Sequence, residues 1–430
     1  MSFPTRPSRR QFAQAVAAGL AAPTVLTSLA RGDAPVKAND RITLGFIGVG
    51  TMGRGHVAGF LRHPEVQVVA VCDVVAARRD NARKMVEDHY GKQKGKGTYK
   101  GCAAYNDFRD LLARKDIDAV VIATPDHWHA IPCVLAARAR KDIYCEKPLT
   151  VAIAQGRKVV DAVRENKVIF QTGSQQRSEF GGRFRRACEL IRNGRIGQVK
   201  TVRIGVGDPA VPCDLPEQPV PEGTDWEMWN GPAPKRGYNE ILCPKGVHHH
   251  FPLWRNYREY AGGGLADMGA HHFDIAQWAL HRSTSGPVKV EPPEGKGTRG
   301  LKFTYDDGVE MFHGGPTDCT FEGTGGTIYV SRGALRSKPA DIVEVPLGPD
   351  DVRLYPSTDH RKNWLECVRS RQEPICPAEV GHRSATVCHL ANIGYWLRRP
   401  LRWDPVHEQF RDDAEANKLV DRELRAPWKL

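Results

Sequence analysis

Short, nearly unbroken apolar runs alternate with stretches of helical spacing along the first third of the chain. Arg41–Ile47, Val66–Val71, Asp118–Ala123 and Asp142–Cys145 each read as a strand buried on both faces. His56–Leu61 and a stretch running to about Ala139 read as helices. Such alternation predicts a doubly wound parallel sheet. Farther on, a helix is expected over Leu265–Leu280. At about 100° per residue, Asp267, His271, Asp274 and Trp278 fall on one narrow face, and Leu265, Met268, Ile275, Ala276 and Ala279 on the other. His272 falls with the apolar set and reads as a packed structural histidine. Thr327–Val330 and nearby short strands predict a second sheet, with a helix over His382–Leu397 against it.

Between these elements lies a Pro- and Gly-rich stretch, residues 208–247, that reads as a long insertion covering a site or reaching across a dimer. Arg411–Leu430 reads as a charged tail lying across a partner subunit. The N-terminus is an address. Ser8-Arg9-Arg10-Gln11-Phe12 precedes an apolar run from Ala13 to Leu26, and Ser28-Leu29-Ala30 offers a small-residue exit. This predicts a twin-arginine signal over 1–30 and export to the periplasm. If the segment instead stays attached as an amphipathic helix, the protein is cytoplasmic. The expected division is then a linker at 31–40, a Rossmann domain at 41–165, an α/β domain at 166–400 and the tail at 401–430.

Composition narrows the class. With 430 residues, 40% hydrophobic and 26% charged, the chain is long enough for two domains with sizeable cores. Net charge is +12, yet no dense Lys/Arg block with interleaved aromatics marks a nucleic-acid surface. Apart from the N-terminus, no apolar run is long enough to span a bilayer. The eleven cysteines are scattered singly and read as free thiols.

Chemistry enters with GFIGVGTMGRGH. Gly48-x-Gly50-x-x-Gly53 follows a strand and opens a helix, and Asp73 ends the next strand. That context makes the glycines a dinucleotide loop: one for the turn, one for approach to the pyrophosphate, one for helix–strand packing. Asp73 would accept hydrogen bonds from the adenosine ribose and repel a 2′-phosphate, favouring NAD over NADP, although Arg78 and Arg79 lie close by. The segments Thr124-Pro125-Asp126-His127-Trp128-His129 and Glu146-Lys147-Pro148 end two further strands, where ligands lie in such sheets.

GFIGVGTMG, ATPDHWH, CEKPLT and GGGLADMGAHHFD, in this order, resemble the Gfo/Idh/MocA oxidoreductases, and more closely their exported members. The resemblance implies a Rossmann domain followed by an α/β domain whose open, mostly antiparallel sheet serves oligomerisation, as a homodimer or homotetramer. It implies carbohydrate or cyclitol substrates and tightly held NAD or NADP. Lys147 matches the lysine beside nicotinamide and substrate hydroxyl, and Asp267 and His271 match the DxGxH acid and histidine. The family's usual Asn at the third strand-end position is Asp126 here.

The chemistry suits these three residues. Oxidising a secondary alcohol removes a hydroxyl proton while hydride leaves carbon. His271 suits the base, Lys147 the developing alkoxide, and Asp267 either the orientation of the base or the fixing of a neighbouring sugar hydroxyl. The expected cofactor contacts are Gly48, Gly50, Thr51, Met52, Gly53, Asp73, Thr124, Pro125, His127, Glu146 and Lys147. The expected substrate contacts are His129, Gln176, Arg177, Trp254, Asp267 and His271. Trp254, Tyr257 and Tyr260 read either as a stacking wall for a pyranose or as core. His248-His249-His250 does not read as a metal site, because adjacent loop histidines cannot easily share one ion. Three functions remain open: an oxidoreductase with retained NAD, a redox-neutral glycosidase or lyase that oxidises, eliminates and reduces, and a non-catalytic dinucleotide binder.

Overall fold

The computed structural model describes residues 40–93 and 99–430. The expected signal, 1–30, and all but the last residue of the expected linker lie outside the described residues. Six parallel strands form the first sheet: β1 (Ile42–Ile47), β2 (Val66–Cys72), β3 (Ala103–Tyr105), β4 (Ala119–Ile122), β5 (Asp142–Cys145) and β6 (Phe170–Thr172). Their order is β3-β2-β1-β4-β5-β6. It reverses between β1 and β4, which places the ligand crevice at the carboxyl ends of those strands. β4 and β5 are buried at every position, which explains why they read as unbroken apolar runs.

Helix α1 (Thr51–Phe60) starts inside the glycine motif, five residues earlier than the expected His56. Gly50 caps it, and the Arg54 N–H already donates to the Gly50 carbonyl at 2.9 Å. Helices α2 (Ala76–Gln93), α3 (Phe108–Leu112), α4 (Ala130–Arg138) and α5 (Ile153–Asn166) complete the crossovers. The sheet does not stop at the expected boundary of 165, because β6 pairs with the otherwise open edge of β5.

After α6 (Arg183–Arg192), the chain builds a nine-stranded sheet. In chain order its strands are β7 (Val199–Ile204), β8 (Lys289–Glu291), β9 (Lys302–Thr304), β10 (Glu310–His313), β11 (Cys319–Gly323), β12 (Gly326–Val330), β13 (Leu335–Lys338), β14 (Leu401–Asp404) and β15 (Gln409–Phe410). Every pairing is antiparallel except β10 with β7. The short helix α7 (Trp226–Asn230) lies in the insertion, and α8 (Gly263–Ala279) is the helix expected over Leu265–Leu280. Helix α9 (His360–Ser370) follows the strands, and α10 (Ala378–Leu397) pairs with α8 over the core.

Two segments depart from a linear two-domain division. α9 returns to the first sheet, where Trp364 is fully buried with its ring 5.6 Å from Phe60 and 5.7 Å from Tyr144. The apolar side of that helix packs on aromatic rings contributed by α1 and β5. Residues 401–430, expected as a tail across a partner, pack on their own chain. β14 and β15 extend the second sheet, α11 (Ala414–Asn417) follows, and the Trp428 ring stands 4.7 Å from Trp128.

A buried ion pair fastens the two sheets' supporting elements. Arg177, just past β6, donates to both Asp274 oxygens on α8 at 2.7 Å, and Ser384 of α10 donates to the same carboxylate at 2.7 Å. Both charged side chains are almost fully buried. Removing one partner leaves an uncompensated buried charge. Asp274→Ala is therefore expected to lower unfolding stability by about 3–5 kcal/mol, read as a shifted urea midpoint at unchanged slope.

Candidate active site

The glycine loop joins β1 to α1 under tight steric limits. Gly48 has φ +82°, and a Cβ there would lie 2.7 Å from the Thr124 nitrogen. A Cβ on Gly53 would lie 2.1 Å from the Gly48 carbonyl oxygen, so this glycine serves helix–strand packing and does not line the cavity. A Cβ on Gly50 would meet nothing within 4 Å, which leaves open space above the loop. At the end of β2, Asp73 accepts from Val49 N–H and Val75 N–H, each at 2.9 Å. The Thr124 hydroxyl is buried in the same cavity without a partner. Open space over Gly50, an anchored acid and an unsatisfied hydroxyl fit a dinucleotide, whose pyrophosphate would meet the free N–H groups of Thr51 and Met52.

The insertion forms the facing wall. Val75, Trp226, Trp229, Tyr238, Leu242, Cys243, Trp254 and Tyr260 share one apolar cluster. Beyond it, residues 244–250 cross the glycine loop as a strap. Thr51 Oγ1 donates to the carbonyls of His250 at 2.9 Å and His248 at 3.3 Å. Arg54 donates to the His248 carbonyl, and Arg78 to those of Gly246, at 3.0 Å, and Pro244. The histidine run thus meets the loop chiefly through its backbone. Among the described residues no three His, Cys, Asp or Glu side chains are grouped to hold a metal.

At the other end of the cavity, β5 delivers Glu146 and Lys147. Lys147 Nζ donates to Asp267 Oδ1 at 2.7 Å and to the Asp267 carbonyl at 2.8 Å, which ties the first sheet to the opening turn of α8. Arg255 Nε approaches Asp267 Oδ1 at 3.6 Å, and its guanidinium stacks 4.1 Å over the Trp254 ring. Burial opposes ionisation of Asp267, but Lys147 and Arg255 hold its carboxyl below the usual range. Glu146 is likewise kept ionised against burial, by His56 Nε2–H at 2.7 Å and then by Lys147 and Gln175. It braces the site more than it contacts a ligand.

One turn along α8, His271 is 3% exposed and lines the cavity, with Nδ1 unpartnered. Burial first, then Lys147 and Arg332, push its pKa well below the ordinary histidine value, so the imidazole is neutral. Asp126 faces the same space without a hydrogen-bond partner for its carboxyl among the described residues. Burial, reinforced by Asp267 and Glu146 against Arg255 and Lys147, raises it to about 8.

Gly48, Gly50, Thr51, Met52, Asp73, Thr124, Pro125, Glu146 and Lys147 therefore line one cavity with His129, Trp254, Asp267 and His271. Four expected contacts do not. His127 donates from Nε2 to the Trp229 carbonyl at 3.1 Å and packs between Trp229 and Tyr260. Arg177 is consumed by Asp274, and Gln176 is buried behind it, outside the cavity. Gly53 packs beneath α1. His129 reaches the cavity, but both ring nitrogens face backbone carbonyls, of Pro148 at 2.8 Å and Thr124 at 2.9 Å, so it clamps two strand ends. The α8 stripe divides: Asp267 and His271 face the cavity, while Asp274 and Trp278 hold Arg177, which lies 4.8 Å over the indole. Met268, expected on the apolar face, lines the cavity, and His272 packs as expected with Nδ1 3.2 Å from the Gly205 carbonyl. Of the aromatic wall, only Trp254 reaches the site, since Tyr260 donates to Asn230 in the core behind it. Met228 and Trp229, on the five-residue α7, and Phe251, Arg255 and Arg332, on irregular segments, line the cavity without having been singled out in the sequence as contacts, because neither so short a helix nor a loop carries a periodic signal.

Comparison with known proteins agrees with this geometry. The family model described as oxidoreductase family, NAD-binding Rossmann fold, matches residues 42–174. The model described as oxidoreductase family, C-terminal alpha/beta domain, matches residues 211–430. A myo-inositol 2-dehydrogenase of Thermotoga maritima is 30% identical over 258 residues, 59% of this chain and 60% of that protein. A glycosyl hydrolase family 109 protein of Shewanella baltica is 32% identical over 167 residues, 37% of this chain and 34% of its own. The chain spans about half the length of the curated relatives it matches. In fold it is similar to the WlbA dehydrogenase of Bordetella pertussis, solved with NADH and UDP-GlcNAcA, at TM-score 0.59 and 17% identity over 85% of this chain and 99% of that one. With both domain models matched in order around one dinucleotide cavity, the chain belongs to the Gfo/Idh/MocA oxidoreductase family.

Proposed function

We propose that this protein is an NAD-dependent oxidoreductase acting on a secondary hydroxyl of a sugar, cyclitol or glycoside, with its cofactor tightly retained. The observation that carries the reading is one continuous cavity running from the glycine loop to Lys147, Asp267 and His271. Bound nicotinamide supplies the hydride acceptor. The neutral His271 takes the hydroxyl proton. Two of the three Lys147 N–H groups are spent on Asp267, which fixes the ammonium and leaves the third for the developing alkoxide. Arg78 donates through Nε and Nη2 to strap carbonyls and Arg79 through Nη1 to the Asp73 carbonyl and Asn106, while the Asp73 carboxylate at the end of β2 would repel a 2′-phosphate, which supports NAD. The strap over the loop supports tight retention, and retention suits export in the folded state, the reading of the Ser8–Phe12 motif. Alternate residues of β7, β9 and β10 are only partly covered, so one face of the second sheet is available to a second copy, which supports a homo-oligomer.

Asp126 favours a second reading. An acid held protonated beside the reacting hydroxyl is not needed for simple oxidation, but it can protonate a departing glycosidic oxygen. Release of nitrophenol from aryl glycosides without net NADH tests for that redox-neutral course.

Denaturing the purified protein is expected to release about one NAD per chain, identified by mass. A protein that emerges empty and binds NAD weakly contradicts retention. Lys147→Ala is expected to lower kcat/KM by roughly 10²- to 10³-fold at unchanged NAD content. In the pH profile, the acid limb should lie well below pH 6.5, since His271 stays neutral down to that range. Glycoside cleavage by the second course should show an alkaline limb near pH 8, as Asp126 ionises and loses the proton it donates, and Asp126→Asn, which has no acidic proton, should lose that cleavage at every pH while simple oxidation persists.

A further inference from the structure

Arg332 lies in the turn between β12 and β13, far along the chain from the proposed catalytic residues, yet it lines the same cavity. The other cations at that end are partnered. Lys147 and Arg255 share Asp267, and Arg255 also stacks on Trp254 and, at 5.1 Å, on Phe251. Arg332 is exposed, and among the described residues its guanidinium has only the face of Phe180, 4.9 Å from the ring centroid. Its backbone N–H donates to Asp318 at 3.2 Å, but among the described residues the guanidinium forms no ion pair.

The local acids do not offset these cations. Asp267 is divided between two of them, and Glu146 is taken by His56 and Gln175. Asp126 carries no charge at neutral pH. Lys147, Arg255 and Arg332 thus line this end of the cavity against two ionised acids, Asp267 and Glu146, which leaves one cation in excess, and Asp318 lies outside the lining. A neutral polyol gives an unpaired guanidinium little, whereas a carboxylate or sulfate matches its donors with charge-assisted hydrogen bonds.

We infer that the sugar bound here carries an anionic substituent, a carboxylate or a sulfate ester, and that Arg332 receives it at the cavity mouth while a neighbouring hydroxyl faces His271. The inference rests on the oxidoreductase reading for which hydroxyl reacts, but not for binding.

Calorimetric titration of the NAD-saturated protein with matched pairs tests it: glucuronate against glucose, galacturonate against galactose, and glucose 6-sulfate against glucose. At least one acid is expected to bind roughly 10- to 100-fold more tightly than its neutral partner, and the pair that shows this distinguishes carboxylate from sulfate. R332M should bring that ratio close to one and R332K should keep part of it, with wild-type NAD content reporting an intact fold. Acids that bind no better than neutral sugars in every pair overturn the inference, as does a preference that survives R332M. An acid that binds in this way but yields no NADH, and whose nitrophenyl glycoside is not cleaved, instead refutes the proposed activity.

Discussion

The bond between Lys147 and Asp267 is the joint on which the site depends. Lys147 lies two residues past the end of a parallel strand, and Asp267 is the fifth residue of a helix from the other domain. Neither side chain is positioned by its own domain alone. The ammonium is fixed because two acceptors of α8 hold it, and α8 is fixed in turn by Arg177, which grips Asp274 two turns further along. The chemistry and the interdomain packing thus share one helix, whose N-terminal half faces ligand and whose C-terminal half faces a buried counter-charge.

A second chain of contacts steadies the same strand end from below. Arg361 of α9 donates to His56 Nδ1 at 3.2 Å, which leaves His56 Nε2–H to serve Glu146. A helix far downstream therefore sets the tautomer of a histidine in α1, and through it the charge beside Lys147. This is why α9 returns to the first sheet: its aromatic face closes that sheet's core, while its first turn completes a polar relay under the cavity floor.

Much of this was legible in the sequence because its signals are local. The glycine loop, Asp73 and the strand-end motifs lie within short windows whose steric and periodic logic is strong, and Asp267 and His271 share a helix face that spacing alone defines. What stayed hidden depends on contacts between distant segments. His127 and His129 are near neighbours in a polar motif, yet one packs on Trp229 and the other clamps two carbonyls. Arg177 reads as a substrate contact until Asp274 is found beside it. Arg255 and Arg332 reach the cavity from irregular segments, where neither 3.6- nor 2-residue periodicity applies.

The packing of Trp428 on Trp128 carries a consequence for biosynthesis. Trp128 directly follows the turn that holds Asp126, and its indole is flanked by Trp428 and Phe108. Trp428 is made 300 residues after Trp128, whereas the last strand of the first sheet ends at Thr172. The indole beside Asp126 therefore gains its second aromatic cover long after the strands that position it have been synthesised.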